Sequence, residues 1–249
     1  MCSGPSMSLA HFSHITDIDL KDRSSWSGKI FLTFDIDWAP DEVIDYTHKL
    51  ISSHKIKSTW FVTHSSPAVD KLVNDPLIEI GLHPNFNELF KCNSNYTSNE
   101  IIYRLKNLFP MAKSVRSHSL TQSERLLDEF SKNGLHWICN SFIPKSSDLL
   151  VAPFELWDNL IIVPHQFQDN VYLKMNSTAP LFDNDQSLSV LNFHPIHIFL
   201  NTDTLDRYDR VKNQINSSSF NLSSYRNVAF GVKTMLDLLI DSLLFANDT

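Results

Sequence analysis

Short apolar runs alternate with amphipathic helical stretches along most of the 249 residues of this chain. In the first unit, residues 29–34 form a largely apolar run, and Pro40 and Asp41 then open a helix, since proline and acidic residues favour the first turn. An apolar run without a polar face is typical of a strand covered on both sides in a parallel sheet. We predict seven such strands, at residues 29–34, 58–63, 77–82, 113–117, 135–139, 160–163 and 188–193.

The alternation predicts an α/β protein whose seven strands form a parallel barrel. Because strand crossovers are right-handed, the carboxyl ends of all strands are expected at one mouth of the barrel. No linker interrupts the pattern. We therefore expect one domain over residues 28–249, closed by a helix over 232–245, after an irregular lead-in of residues 1–27.

Composition excludes several classes of function. The net charge of -7 disfavours a nucleic-acid partner or an anionic membrane surface, because both attract basic faces. No stretch approaches the roughly 20 apolar residues of a membrane span, and the first residues lack the features of a secretion signal. Cys2, Cys92 and Cys139 are too scattered for a disulfide framework and are expected to be free thiols. We expect a cytoplasmic protein; the pattern indicates no particular oligomeric state.

Reactive side chains concentrate at the ends of the predicted strands, which is where the catalytic groups of barrel enzymes lie. Histidines kept only for core packing would not gather at one end of the strands. We therefore interpret these positions as a functional site. They are Asp35, Asp37, His64, His83, Arg116, His118, His165 and His194.

The acidic pair at the end of the first strand is the most informative part of this set. Asp35 and Asp37 are two residues apart, so both carboxylates are expected on one side of the chain, with Ile36 on the other. Two such anions repel each other unless a cation lies beside them, and a divalent metal supplies one. His83 would reach the same mouth, and nitrogen and oxygen ligands suit zinc better than calcium. The competing interpretation is a turn and helix cap before Pro40.

Other side chains at the mouth have candidate roles. His194 is a candidate proton donor, because imidazole changes charge near neutral pH. Arg116 is a candidate to hold a carboxylate, and Trp38 offers a face on which a sugar can stack. The competing interpretation of His194 and His197 is a structural role in which backbone carbonyls hold the rings.

These residues also carry a family resemblance. Residues 33–37, Thr-Phe-Asp-Ile-Asp, resemble the first motif of the polysaccharide deacetylases of carbohydrate esterase family four, with one residue inserted between the acids. Residues 79–83, Glu-Ile-Gly-Leu-His, are similar to the strand that carries that family's first metal histidine. Arg116 and His194 stand where its later motifs place an arginine and a histidine. The resemblance runs from about residue 29 to 197 and is closest to a subgroup associated with O-antigen type surface polysaccharides.

The resemblance implies a distorted (β/α)7 barrel and a metal-dependent hydrolase. Asp37 and His83 would bind a divalent metal, zinc or alternatively cobalt or nickel, which activates a water. Asp35 would accept the proton of that water, with Arg116 holding its carboxylate, and His194 would protonate the departing amine. The substrate would be a small molecule or an oligosaccharide that carries an acetamido group.

The chain departs from the family pattern at the second metal histidine, whose place is taken by Asn87. Our hypothesis is that His118 supplies the missing third ligand. The inserted Ile36 leaves open whether the two aspartates exchange the roles of base and ligand. We predict that five further residues contact the substrate: Trp38, His64, Asn85, Asn87 and His197.

Three other functions remain open at this level. A catalytically inactive carbohydrate-binding homologue would retain the barrel without the metal. A metal-dependent amidohydrolase acting on a non-sugar amide would use the same residues. A glycoside hydrolase is the least favoured, because its carboxylate pair normally comes from different strands.

Overall fold

A computed structural model describes residues 12–90, 96–175, 187–217 and 220–245. Cys2, Cys92 and the first eleven residues of the predicted lead-in lie outside this part. Cys139 is a free, buried thiol, as expected. Among the described residues the chain forms nine strands: β1 (Ile30–Asp35), β2 (Ser58–Val62), β3 (Ile78–Leu82), β4 (Ser114–Val115), β5 (Trp137–Ile138), β6 (Phe154–Glu155), β7 (Ile161–Ile162), β8 (Phe167–Gln168) and β9 (Ser189–Phe193).

Eight α-helices in the described residues connect or flank these strands. They are α1 (Asp41–Ser53), α2 (Pro67–Val73), α3 (Ser98–Leu108), α4 (Glu124–Lys132), α5 (Asp169–Met175), α6 (Pro195–Leu200), α7 (Leu205–Asp209) and α8 (Val232–Phe245). None of the described helices has the length and apolar character needed to cross a lipid bilayer.

The strands form one curled sheet in the order β6-β7-β5-β4-β3-β2-β1-β9-β8. Every neighbouring pair is parallel except β6 with β7. The α/β class, the mostly parallel barrel-like sheet and the single domain are confirmed. The sheet has two more strands than the sequence predicted, β6 and β8. Each combines one aromatic and one polar residue, and β6 is exposed, so neither lies in an apolar run that the pattern could detect.

The first strand is buried on both faces, which explains its nearly unbroken apolar sequence. Ile30, Leu32 and Phe34 belong to the core between the sheet and the helices, whereas Phe31 belongs to a second cluster inside the curled sheet. The alternation continues along the inner face, where Thr33 and Asp35 follow Phe31. The inner face is thus apolar at one end of the strand and polar at the end that carries the mouth.

The segment before β1 packs against the apolar end of this interior. Ile15, Ile18 and Trp26 are buried in the same cluster as Phe31. Thr16 donates two hydrogen bonds to the carboxylate of the half-buried Glu79, one from its backbone nitrogen and one from its hydroxyl. Described residues of the predicted lead-in therefore contribute to the core, although their local structure is irregular.

Candidate functional site

The polar end of the sheet brings together side chains from four strands. Asp35 is the last residue of β1. His83 directly follows β3, Arg116 directly follows β4, and His194 directly follows β9. Because these strands are parallel, their carboxyl ends meet at one mouth. All four of these side chains are buried.

A turn directly after β1 directs Asp37 towards the same mouth. Its backbone φ is +41° and that of Trp38 is +55°, so two consecutive residues with side chains occupy the left-handed region. Such conformations cost free energy of order 1–3 kcal/mol each and concentrate at functional sites. The two carboxylates therefore share a site because of a tight turn, and not because of the extended alternation that the sequence pattern predicted.

Asp37, His83 and His118 form a compact set of donor atoms. Asp37 Oδ1 lies 3.0 Å from His83 Nε2 and 3.0 Å from His118 Nδ1, and the two ring nitrogens are 3.4 Å apart. Donor atoms bound about 2.0–2.1 Å from one ion at tetrahedral or octahedral angles lie about 2.8–3.4 Å from each other. The three spacings therefore fit one divalent metal ion with one oxygen and two nitrogen ligands.

The backbone directly after β4 orients the ring of His83. His83 Nδ1 lies 2.6 Å from the carbonyl oxygen of Arg116, so Nδ1–H donates there and Nε2 is directed at Asp37. Metal-binding histidines are commonly held in this way by a hydrogen bond from the other ring nitrogen. Burial disfavours the charged form of the ring, but Asp35 and Asp37 outweigh burial and raise the pKa of His83.

Asp35 is held as a carboxylate by two donors. Arg116 Nη1 donates to its Oδ1 at 3.0 Å, and Asn192 Nδ2 donates to its Oδ2 at 2.8 Å. Burial alone would raise the pKa of this carboxyl group, but the Arg116 guanidinium lowers it below its usual range. Arg116 also donates from Nη1 to Thr33 and from Nε to the backbone oxygen of Cys139, so its position is fixed from several sides.

His194 is held by a buried carboxylate that the sequence did not single out. Its Nδ1–H donates to Asp169 Oδ1 at 2.6 Å, and its backbone nitrogen donates to Asp169 Oδ2 at 2.7 Å. The opposite ring nitrogen, Nε2, faces Asp37 Oδ2 at 3.6 Å and Asp35 Oδ2 at 3.9 Å. Burial disfavours protonation, but Asp169 outweighs it and raises the pKa of His194 to about 10. The ring is therefore a cation at neutral pH.

Two of the five residues predicted to contact substrate lie against the polar side chains at the mouth. Trp38 is 39% exposed, and its ring meets the His118 ring edge-on with the centroids 5.2 Å apart. His197 is buried and packs edge-on against His194 at 5.6 Å. Both positions border the reacting groups.

The other predicted contacts have local partners among the described residues. His64 is hydrogen-bonded to the hydroxyl of the adjacent Thr63, and Asn85 accepts from the backbone nitrogen of Asn87 in a turn. Asn87 is exposed, and no described hydrogen bond joins its side chain to the cluster. His165, which also follows a strand, is hydrogen-bonded to Gln168. These four residues therefore do not belong to the group of polar side chains that contact one another at the mouth.

Asp169 and Asn192 were missed by the sequence analysis. Asp169 follows β8, a strand of one apolar and one polar residue that lies in no apolar run, so its place at a strand end was hidden. Asn192 lies within β9, where a polar residue in a buried strand is itself unusual and was the available signal.

A cavity of about 400 Å³ opens beside this site, and Asp37 and His194 lie in its wall. The rest of the wall comes from α5, α6 and α7. The site therefore combines a candidate metal position, an ionised carboxylate and a cationic imidazole with an adjoining space of ligand size.

Comparison with known proteins identifies the family and agrees with the fold. Residues 32–212 match the family model described as WbmS-like polysaccharide deacetylase. A solved structure of WbmS from Bordetella bronchiseptica, a protein proposed to be a polysaccharide deacetylase involved in O-antigen biosynthesis, is 36% identical. It superposes with a TM-score of 0.88 over 93% of this chain and 98% of that chain. A comparison with curated proteins finds no match. The chain belongs to the WbmS-like family of polysaccharide deacetylases.

Proposed function

We propose that this protein is a metal-dependent N-deacetylase that releases acetate from an acetamido sugar of a surface polysaccharide or its precursor. The observation that carries the proposal is the placement of Asp37, His83 and His118 at metal-ligand spacing beside Asp35 and His194. The family match supports hydrolysis of an acyl group on a saccharide. The similarity to WbmS supports a substrate of the O-antigen type.

Asp37, His83 and His118 would hold the metal, with zinc favoured over cobalt and nickel by the two imidazole ligands and one carboxylate. A bound divalent ion supplies a Lewis acid for the acyl carbonyl oxygen and for the attacking water. Two of the three ligand side chains, Asp37 and His118, are 25% exposed, which leaves the metal position open on one side. Water and substrate can therefore approach from the mouth.

Asp35 is assigned the role of general base. The Arg116 guanidinium keeps its pKa low, which favours the carboxylate form, and its Oδ2 lies 3.9 Å from His194 Nε2. Arg116 and Asn192 fix the orientation of its carboxylate, so that little reorganisation is needed when it accepts a proton from water. Asp37 contacts both ligand histidines and Asp35 contacts Arg116, which favours Asp37 as the ligand and Asp35 as the base.

His194 is assigned the role of general acid. Water adds its oxygen to the acyl carbon, the carbon–nitrogen bond breaks, and the departing nitrogen takes a proton from His194 Nε2. The products are acetate and a free amino sugar. Asp169 holds the opposite nitrogen of the ring, so that Nε2–H is aimed at the reaction space.

The proposal is tested by a hydrolysis screen with the zinc-loaded protein. We expect acetate release from at least one member of a panel of N-acetylated hexosamines, hexosaminuronic acids and their nucleotide-diphosphate forms. Acetate release should stop after chelation and return when zinc is restored. Zinc binding without hydrolysis of any member would favour a carbohydrate-binding role, and hydrolysis only of simple amides would favour a non-sugar amidohydrolase.

Asp169→Asn is expected to lower kcat by about 10²–10⁴-fold, because an amide cannot accept both hydrogen bonds from His194 and the ring loses its orientation and charge. The comparison is made at saturating substrate with the zinc content measured in parallel. Zinc content should be unchanged, since the proposal assigns the metal to Asp37, His83 and His118, whereas Asp169 belongs to a separate buried group with His194 and His197. A variant that keeps full kcat would remove Asp169 from the mechanism.

A further inference from the structure

The cavity beside the site has polar groups that the proposed chemistry does not use. It lies between α5, α6 and α7, with His194 and Asp37 at its inner end. Val171, Ile196 and Leu205 give it apolar walls. A mostly apolar space with a few placed polar groups is the usual form of a small-ligand site.

His197 is the most deeply buried of these polar groups. It is 4% exposed, its Nδ1 is hydrogen-bonded to the Thr202 hydroxyl at 3.1 Å, and its ring packs edge-on against Tyr208. Its Nε2 has no hydrogen-bond partner within the described part of the chain, although the residue lines the cavity. Burial lowers the pKa of His197 to about 4, so the ring is neutral at pH 7. A neutral buried ring nitrogen has one hydrogen bond left to make.

Asn170 on α5 presents a second unused group to the same cavity. Its backbone nitrogen donates to Asp169 Oδ1 at 2.7 Å, which ties it to the carboxylate that orients His194. Its side-chain oxygen is buried and, among the described residues, has no hydrogen-bond partner. An unpaired buried amide oxygen costs free energy, so a ligand group that donates a hydrogen bond to it gains affinity.

We propose that this cavity binds the sugar ring that carries the acyl group, and that His197 and Asn170 determine specificity by hydrogen bonding to its hydroxyl or amide groups. The inference rests on the proposed deacetylase function. A sugar ring fits the chemistry because it presents apolar C–H faces to the walls and several hydroxyl groups to two separate polar side chains. The closeness of His194 and Asp37 places the bound ring next to the reacting groups.

The test measures binding without turnover. Zinc-loaded protein carrying Asp35→Asn is titrated with each member of the acetamido-sugar panel by calorimetry or protein-observed NMR. Adding His197→Phe, which keeps a flat ring against Tyr208, is expected to weaken the binding of the best member about tenfold, the equivalent of one buried hydrogen bond. Asn170→Leu is expected to weaken it by a similar factor.

Thr202→Val is the matched control. It removes the same hydrogen bond to His197 Nδ1 but leaves the ring and its Nε2 in the cavity. If His197 acts only as a structural residue, Thr202→Val and His197→Phe will change affinity equally; the proposal requires the loss in His197→Phe alone.

Stability gives a second readout that needs no ligand. Asn170→Leu should raise Tm, since it removes an unpaired buried oxygen, whereas Asn133→Leu should lower it, since the amide of Asn133 donates to Asn99 and to the backbone of Glu129. Unchanged affinity in both cavity variants overturns the subsite and leaves the deacetylase function intact. Failure of every sugar to bind also overturns it, and acetate release from the same panel then shows whether the proposed function falls with it.

Discussion

Asp35→Asn is expected to reduce acetate release by about 10²–10⁴-fold, the range for loss of a positioned general base, while zinc binding is retained. The amide has the shape of the carboxylate and can still accept from Arg116, but it does not accept a proton from water. Asp35 contributes no atom to the metal-spaced set of Asp37, His83 and His118. The measurement is kcat on the best substrate of the panel, with zinc content determined on the same sample.

Thr33→Val is the control that separates loss of the general base from loss of a hydrogen-bond partner of Arg116. Thr33 accepts a hydrogen bond from Arg116 Nη1 at 2.9 Å on the same inner face as Asp35, but its hydroxyl is not a base. We expect a modest loss of stability and a far smaller loss of kcat than in Asp35→Asn. Equal losses in the two variants would mean that Asp35 matters only as a partner of the buried guanidinium.

His118→Ala is expected to weaken zinc binding by more than about a hundredfold, because loss of a direct ligand should exceed the 10–100-fold cost of losing an outer hydrogen-bond partner. The variant would retain only two ligand atoms, Asp37 Oδ1 and His83 Nε2, which are 3.0 Å apart. A competition titration against a chelating indicator measures the affinity, and acetate release should fall with zinc occupancy.

His64→Ala is the matched substitution for this experiment. His64 also follows a strand and is partly buried, but it is hydrogen-bonded to Thr63 and contributes no atom to the metal-spaced set of Asp37, His83 and His118. Its zinc affinity should equal that of the unmodified protein. If His118→Ala binds zinc as tightly as His64→Ala does, the third ligand is a different residue.

The sequence predicted the framework of the site because that framework depends on local patterns. The buried run before Asp35 and the repeating strand–helix alternation predict parallel strands, and the ends of parallel strands meet at one edge. For this reason His83, Arg116 and His194 were singled out from their positions alone. The helix over 232–245 was likewise predicted from its apolar character, and α8 has the same bounds.

Which residues belong to the site depended on tertiary contacts that a local sequence pattern does not predict. His64 and His118 both follow strands, yet only His118 reaches Asp37, because the turn at its own strand end places its ring over the mouth. Asp169 was hidden because β8 lacks an apolar run and forms by pairing with β9. The left-handed turn at Asp37 likewise depends on its surroundings, because an isolated aspartate rarely adopts a positive φ.

The sequence by itself thus determined the fold class and the edge of the sheet at which reactive groups gather, since hydrophobic period and strand direction are properties of short segments. The tertiary structure decided which of those groups meet: His118 Nδ1 lies 3.0 Å from Asp37 Oδ1, Asn87 is exposed at the start of a short 3-10 helix, and Asp169 is hydrogen-bonded to His194. The physical reason is that ligand spacing and proton-donor orientation are set to within tenths of an ångström by loop conformation and side-chain packing. Those depend on contacts between residues far apart in the chain.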